Sequence, residues 1–167
     1  MNELFGYLKN NNLYSSFEEG KDSIWTSDKF SDFVMASYLN PLIPGGGKTE
    51  DEIESYINWV KINAIDEAKI LDIGCGPGIY CEKLSSLGYR VTGVDISSKA
   101  ILYAKDQTNQ KQSNIDYICD DIFKVEFDNK FNVIIILYKT FATFSKEKRL
   151  SLLSKINKLL DKGGYYF

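Results

Sequence analysis

The sequence contains no histidine among its 167 residues. This absence excludes imidazole metal ligands and the serine–histidine and cysteine–histidine pairs on which many hydrolases depend. Cysteine is scarce as well, because Cys75, Cys81 and Cys119 form no C-x-x-C pair and are odd in number. We therefore expect neither a metal site nor a disulfide framework, and the free cysteines indicate a reducing, cytoplasmic compartment.

Long apolar runs and an excess of basic residues are also missing. The strongest apolar run, Val133–Tyr138, is far shorter than the roughly 20 residues that cross a bilayer, and no apolar signal-peptide core begins the chain. The formal net charge is −3, and Lys and Arg form no block that would attract phosphates. We expect no membrane segment, and the charge disfavours nucleic acid as a partner.

What the chain does contain, from about residue 50 onwards, is an alternation of short apolar segments and amphipathic ones. Strands are predicted at 69–73, 90–95, 115–119 and 132–138, with a fifth beginning at Tyr165. Helices are predicted at about 50–63, 79–87, 98–107 and 146–162, the last with an apolar stripe from Leu150 to Leu160 and an end at Gly163-Gly164. This alternation predicts an α/β fold: a doubly wound, mostly parallel sheet with helices on both faces.

The N-terminal part is predicted to form a helical cap. Residues 1–24 are weakly patterned, with one short helix near 3–9, and helical spacing of apolar residues follows from Trp25 to about Leu42. A loop rich in proline and glycine at 41–47 separates this segment from the rest. We therefore divide the chain into a cap or lid at 1–47 and an α/β domain at 48–167.

The motif most informative about function follows the first predicted strand. Residues 70–80 read ILDIGCGPGIY, a buried strand that runs into a glycine-rich turn and then a helix. Gly74, Gly76 and Gly78 allow positive φ and the close approach of a ligand, and the N–H groups of the turn are candidates to bind a carboxylate. The dinucleotide spacing G-x-G-x-x-G is not met, because Ile79 occupies its third glycine position. An ordinary strand–helix turn is the alternative interpretation.

Acidic residues stand at the ends of the first three predicted strands. Asp72 is a candidate to attract a ligand ammonium, and Asp95, 21 residues after Gly74, is placed to accept hydrogen bonds from both hydroxyls of a ribose. The alternative for Asp95 is a helix cap. Asp120 and Asp121 are candidates to bind an adenine amine, or else they form a turn. Because ligands bind beyond the carboxyl ends of parallel strands, these residues predict one site, suited to a cationic ligand.

Apolar and small side chains are predicted to complete this site. Ile96 and Ile122 are candidates to sandwich an adenine ring. Cys75 is a candidate lining residue, with burial in the core as the alternative. Trp25 is the candidate anchor by which the cap covers the ligand, and simple packing on the sheet is the alternative interpretation.

Together these motifs resemble those of class I S-adenosylmethionine-dependent methyltransferases. The resemblance rests on residues 70–80, on Gly-Val-Asp at 93–95, on Cys-Asp-Asp at 119–121 and on the stretch 131–167. It implies S-adenosylmethionine as the cofactor and a small molecule as the methyl acceptor. Since the complete sheet of this fold has seven strands, the chain is expected to be truncated after the start of strand five. An exposed sheet edge would then allow a homo-oligomer.

Within that superfamily the chain is similar to a bacterial group of undefined substrate. Trp25 and Ser31 match the opening W-x-D-P-H-I-S segment of that group, whose histidine is replaced here by Lys29. Lys48 stands where the group has the arginine of an A-S-R segment. If that arginine binds the cofactor carboxylate, the resemblance implies the same role for Lys48, as a point charge.

A third segment of the group, I-Y-C-D-F-G, matches at Tyr138, while Thr140 replaces its acidic residue. Tyr138 is the candidate catalytic residue, expected to touch the methyl group or its acceptor, and Leu137 is a candidate cofactor contact. The implied reaction is a direct displacement, which requires positioning in a dry pocket rather than a general base. A non-catalytic cofactor-binding module and, less favoured by Ile79, a nicotinamide-dependent oxidoreductase are the alternatives.

Overall fold

The computed structural model describes residues 23–43, 46–111 and 113–167. In chain order the elements are helix α1 at Asp28–Leu39, helix α2 at Glu50–Asn63, strand β1 at Lys69–Ile73, helix α3 at Ile79–Ser86, strand β2 at Arg90–Asp95, helix α4 at Ser98–Lys111, strand β3 at Ile115–Cys119, strand β4 at Phe131–Ile135, a 3-10 helix at Thr140–Thr143, helix α5 at Lys146–Leu159 and strand β5 at Leu160–Tyr166. The short helix predicted near residues 3–9 lies outside the described residues.

The strands of the described chain form one parallel sheet in the order β3-β2-β1-β4-β5. The chain starts at the centre with β1, runs outward through β2 to β3, and then returns to the other side of β1 to form β4 and β5. The order therefore reverses between β1 and β4, and a crevice at such a reversal, beyond the carboxyl ends of the strands, is where α/β sheets bind ligands. The predicted α/β architecture is confirmed.

Helices cover both faces of this sheet, which explains why its central strands are apolar throughout. Ile70 of β1 belongs to the apolar cluster on the face covered by α2, α3 and α4. Leu71 and Ile73 belong to the opposite cluster, which includes Leu152 and Ile156 of α5. These β1 side chains are at most 1% exposed, so β1 is fixed from both sides and its end is a rigid base for the turn that follows.

The predicted helix starts and stops are confirmed at several places. Thr49 and Glu52 form a complete capping box at the start of α2, with each side chain accepting from the other residue's amide. Ser97 accepts from the Ala100 amide (3.3 Å) in the first turn of α4, and Ser145 caps α5. These caps satisfy helix amides that would otherwise lack partners.

The end of the chain differs from the prediction. Helix α5 ends at Leu159 rather than at the paired glycines, and β5 begins at once with Leu160, which pairs with Phe131. Two residues along β4, Val133 pairs with Tyr165, so residues 161–164 bulge out of the strand. The glycines are needed for this bulge, where Gly163 has a φ of 82°, and not for a helix stop.

One further boundary and part of one packing prediction were wrong. Strand β4 stops at Ile135 instead of Tyr138, because Tyr138 adopts a left-handed conformation (φ 67°) that turns the chain away from the sheet. The apolar stripe on α5 is centred on Leu152 and Ile156, which are buried, whereas Leu150 is 59% exposed.

None of the helices in the described part of the chain combines the length and apolar composition needed to cross a bilayer.

Candidate functional site

The glycine turn between β1 and α3 packs too tightly to accept side chains. A Cβ on Gly78 would lie 2.2 Å from the hydroxyl of Tyr117, and one on Gly74 would lie 2.6 Å from the hydroxyl of Thr140. Both glycines also have positive φ values of about 80°, which other residues rarely adopt. Gly74 and Gly78 are thus required by the local fold itself.

The amides of this turn are already used inside the protein. The amides of Gly74 and Cys75 both donate to the carbonyl of Val94 (2.8 and 3.2 Å). The Gly76 amide donates to Oδ2 of Asp95 (2.9 Å), and the Gly78 amide donates to the carbonyl of Cys75 (3.1 Å). Pro77 has no N–H to offer. The expectation that turn amides bind a carboxylate is therefore wrong for these four residues, because the turn folds back onto the end of β2.

Asp95 faces this turn. Its Oδ2 accepts from the Gly76 amide and its Oδ1 from the Ser97 amide at 2.8 Å. Burial raises the pKa of Asp95, while the backbone amides that it accepts from act in the opposite direction. A carboxylate has about four acceptor sites, so lone pairs remain for the hydroxyls of a ligand. Since Ser97 supplies the helix cap, Asp95 is not needed as a cap for α4.

Asp72 lies beneath the turn rather than at its mouth. The residue is only 2% exposed, and its Oδ2 accepts a hydrogen bond from Sγ of Cys81 (3.4 Å). Burial raises the pKa of Asp72 to about 7. Cys75 is also buried, at 6% exposure, and its sulfur packs against Gly93. Cys75 therefore packs in the core, as the alternative interpretation had it.

The end of β3 contributes less than predicted. The Asp120 amide donates to the carbonyl of Asp95 (3.1 Å), and Asp120 and Asp121 each accept a backbone amide from the next one or two residues, as turn-forming aspartates do. Ile96 is 41% exposed and offers an apolar face, but Ile122 is 5% exposed and packs into the core. The predicted sandwich of Ile96 and Ile122 is therefore not formed, because Ile122 points into the sheet–α5 interface.

On the cap side, Trp25 contacts the site through a residue that the sequence analysis missed. Its indole stacks on Tyr38 of α1, with ring centroids 6.2 Å apart and planes at 26°. The Tyr38 ring in turn lies over Gly76, with Cζ 3.5 Å from the position of a Cβ there. Nothing in the periodicity of α1 indicated which aromatic would reach the turn. An ion pair between Asp32 and Lys99 joins α1 to the first turn of α4.

Tyr138 joins the end of β4 to the residues between α1 and α2. Its hydroxyl donates to the carbonyl of Gly46, and Nζ of Lys48 lies 5.4 Å from the centroid of its ring. Lys48 is also paired with Glu52 at 2.7 Å, so its charge is already partly neutralised. Leu137 is 8% exposed and packs in the core, so the prediction that it contacts a cofactor is not supported by its position.

At the carboxyl ends of β1, β2 and β4 the structure therefore brings together the glycine turn, the carboxylate of Asp95 and the phenols of Tyr38 and Tyr138. Ile96, next to Asp95, adds an exposed apolar side chain. A parallel sheet with a glycine turn after its first strand and a partly buried acid at the end of its second is typical of Rossmann-like α/β domains.

Comparison with known sequences assigns the family. The profile of the methyltransferase domain family matches residues 70–164, which is more than half of the chain. The chain belongs to this methyltransferase domain family. It is 39% identical over 113 residues to a ubiquinone biosynthesis O-methyltransferase of Coxiella burnetii, covering 64% of this chain and 45% of the relative. Identity to the protein of the same name from Bradyrhizobium diazoefficiens is 35% over 80 residues, covering 48% and 32%.

Comparison with solved structures agrees on the fold. An S-adenosylmethionine-dependent methyltransferase from Clostridium acetobutylicum matches with a TM-score of 0.70 at 18% identity, over 83% of this chain and 56% of that one. The resemblance to class I methyltransferases is thereby confirmed for fold and family. The chain spans about a third to a half of the length of the curated relatives it matches.

Proposed function

We propose that this chain binds S-adenosylmethionine and catalyses transfer of its methyl group to a small molecule. The observation that carries the proposal is the position of Asp95, whose carboxylate faces the glycine turn through the Gly76 amide at 2.9 Å. A ribose bound against that turn would meet a charged acceptor with spare lone pairs. The names of the two ubiquinone biosynthesis relatives favour a small-molecule acceptor.

The residues around the crevice fit an adenosyl sulfonium. Asp95 supplies the acceptor for ribose hydroxyls, and the exposed face of Ile96 supplies apolar surface for the adenine. Asp120, exposed at the end of β3, is the nearest candidate for the adenine amine. Asp72 remains a candidate partner for the ammonium, acting from beneath the turn. Carboxylates on this side of the sheet also suit a ligand that carries positive charge.

The chain's own part in the reaction is to position the reactants and exclude water. When bound, the cofactor supplies a methyl group on a positively charged sulfur. Tyr138, at the end of β4, is placed to border the acceptor, while Tyr38 and Trp25 cover the turn from the cap side. A dry, preorganised pocket of this kind accelerates displacement without a dedicated base.

The remaining proposals concern the organisation of the chain. Residues 1–47 form a cap over the cofactor and residues 48–167 form the binding domain. The protein acts in the cytoplasm, and nucleic acid is not its acceptor. Strand β5 lies at one edge of the described sheet with Tyr166 53% exposed, and a second copy pairing with this edge would give a homo-oligomer. Sedimentation at increasing protein concentration tests this last point.

Calorimetry with candidate cofactors is the direct test of the function. We expect S-adenosylmethionine and S-adenosylhomocysteine to bind with micromolar affinity and NAD to show no measurable heat. The physical reason is the turn, where Ile79 takes the place of the glycine that dinucleotide binders need beside the pyrophosphate. Binding of NAD in preference to S-adenosylmethionine would show that the chain is an oxidoreductase instead.

The pH dependence of binding should reveal whether Asp72 meets the ligand ammonium. Asp72 is the group of this cluster whose pKa lies near neutrality, because burial raises it to about 7, while raised pKa values keep Cys75, Cys81 and Tyr80 neutral. Burial raises the pKa of Asp95 as well. Only the ionised carboxylate attracts an ammonium. Affinity should therefore fall about tenfold for each pH unit below a pH of about 7 and level off above it.

Asp72→Asn should remove most of this pH dependence, and Asp116→Asn, at an exposed position of β3, should leave it unchanged. The same pH profile in wild type and Asp72→Asn would assign the titration to another group. In that case Asp72 would have a structural role only.

A further inference from the structure

We propose that Tyr38 of α1 binds the cofactor, its phenol hydroxyl donating a hydrogen bond to the carboxylate of the amino-acid end. This inference rests on the proposed function, which it extends by naming a residue and the ligand group that it recognises. It assigns to the cap a role in recognition, beyond covering the site.

The first step of the argument is the shortage of donors in the turn. The amides of Gly74, Cys75, Gly76 and Gly78 all donate to acceptors within the protein. A carboxylate bound beside the turn would be buried, and a buried anion needs hydrogen-bond donors or a cation. Since these four turn amides are taken, the donors that remain are the first amides of α3, which has no side-chain cap, and side chains that reach the turn.

The second step is the position of the Tyr38 phenol. Its Cζ, Cε1 and Cε2 atoms lie 3.5 to 3.8 Å from the position of a Cβ on Gly76, so the hydroxyl end of the ring lies at the turn. Burial is the largest cause that raises the pKa of Tyr38, and the nearby acidic groups of Asp95, Cys75 and Tyr138 raise it further. The phenol therefore remains a protonated donor, and it lies between the ends of β2 and β4, next to the turn after β1.

This position matches one end of the ligand. Asp95 would hold the ribose at the end of β2, and with Tyr138 bordering the acceptor, as proposed above, the sulfonium would face Tyr138. The amino-acid end branches from the sulfonium, so it would lie on the turn between these two residues, where Tyr38 is. Lys48 is the nearby cation on this side, but its ammonium is already paired with Glu52 at 2.7 Å.

The third step is that Tyr38 is held in place. Trp25 stacks on its ring, and the Asp32–Lys99 ion pair joins α1 to α4. The chain also crosses directly over the end of α1, because a Cβ on Gly47 would lie 2.4 Å from the Tyr38 carbonyl oxygen. A donor that is held before the ligand arrives loses little entropy on binding.

The test compares S-adenosylmethionine with decarboxylated S-adenosylmethionine, which keeps the sulfonium and amine but lacks the carboxylate. Tyr38→Phe removes only the hydroxyl and keeps the ring that stacks on Trp25. We expect it to weaken binding of S-adenosylmethionine about tenfold and to leave binding of the decarboxylated ligand unchanged. Tyr89→Phe makes the same chemical change just before β2, at the end of the sheet opposite the glycine turn. It should leave the affinity for both ligands unchanged.

Three outcomes would overturn the assignment of Tyr38. Equal losses of affinity for both ligands would show that the hydroxyl contacts another part of the ligand. An unchanged affinity for S-adenosylmethionine would show that the hydroxyl contacts no part of it. Wild-type protein that binds both ligands equally well would also overturn it, whatever the variant does. If wild-type protein binds neither ligand, the proposed function itself fails, which separates the two failures.

Discussion

Replacing Asp95 by alanine should weaken the binding of S-adenosylmethionine about tenfold or more. Hydrogen bonds to a charged acceptor contribute about 1.5–3 kcal/mol each, so losing even one of the two that the ribose would make lowers the affinity about tenfold or more. The remaining site would keep its apolar surface, so binding should become weak rather than vanish. Isothermal titration calorimetry of wild type and variant measures the change directly.

The contacts of Asp95 call for a control, because the carboxylate also accepts from the Gly76 amide and could act through the turn. An S-adenosylhomocysteine analogue without its two ribose hydroxyls separates the two roles. It should bind wild type and Asp95→Ala equally if the carboxylate contacts the ribose. Equal weakening for both ligands would show that Asp95 acts only by holding the turn. Asp116→Ala, on the exposed surface of β3, should change neither affinity.

The sheet was predictable because its strands are buried on both faces. The bounds of β1, β2 and β3 match the prediction, since short apolar runs flanked by glycine or polar residues have few other ways to be buried. The start of β5 was not predictable in the same way. Gly163-Gly164 follows a helical pattern, and only the pairing of Leu160 with Phe131 in three dimensions shows that the strand begins before the glycines.

The candidate site was predictable where a residue type is tied to a strand end, and not where it depends on tertiary contacts. Asp95 faces the turn because it ends a strand next to β1. By contrast, the turn amides, Ile122 and Leu137 have other partners, which only the packed structure shows. Tyr38 escaped detection for the same reason, since its position depends on how α1 docks and not on its place in the sequence.

Gly93 links the sheet to the glycine turn. It lies in β2 beside Asp72 of β1 and Tyr117 of β3. A Cβ at this position would lie 2.9 Å from Sγ of Cys75, 2.9 Å from Cδ1 of Tyr117 and 3.0 Å from Sγ of Cys81. These atoms belong to the turn, to β3 and to α3, so one added methyl group would press on three elements at once.

Gly93→Ala should therefore destabilise the protein by about 1–3 kcal/mol, as overpacking of a close-packed core does. At about 2–4 °C per kcal/mol for a chain of this size, the unfolding temperature should fall by several degrees. Cofactor affinity should fall too, because relieving the contact with Cys75 moves the turn. Differential scanning calorimetry, with and without S-adenosylhomocysteine, measures both effects.

Gly88→Ala is the matched control, because a Cβ there would meet nothing within 4 Å, although its φ of 92° is unfavourable for alanine. The control should lose stability through backbone strain alone and keep its cofactor affinity, since Gly88 lies at the far end of α3 from the turn. Combining Gly93→Ala with Cys81→Ala should recover part of the loss, because the new methyl group then takes the space of the sulfur. An unfolding temperature of Gly93→Ala equal to that of wild type would show that close packing around Gly93 does not hold the glycine turn in place.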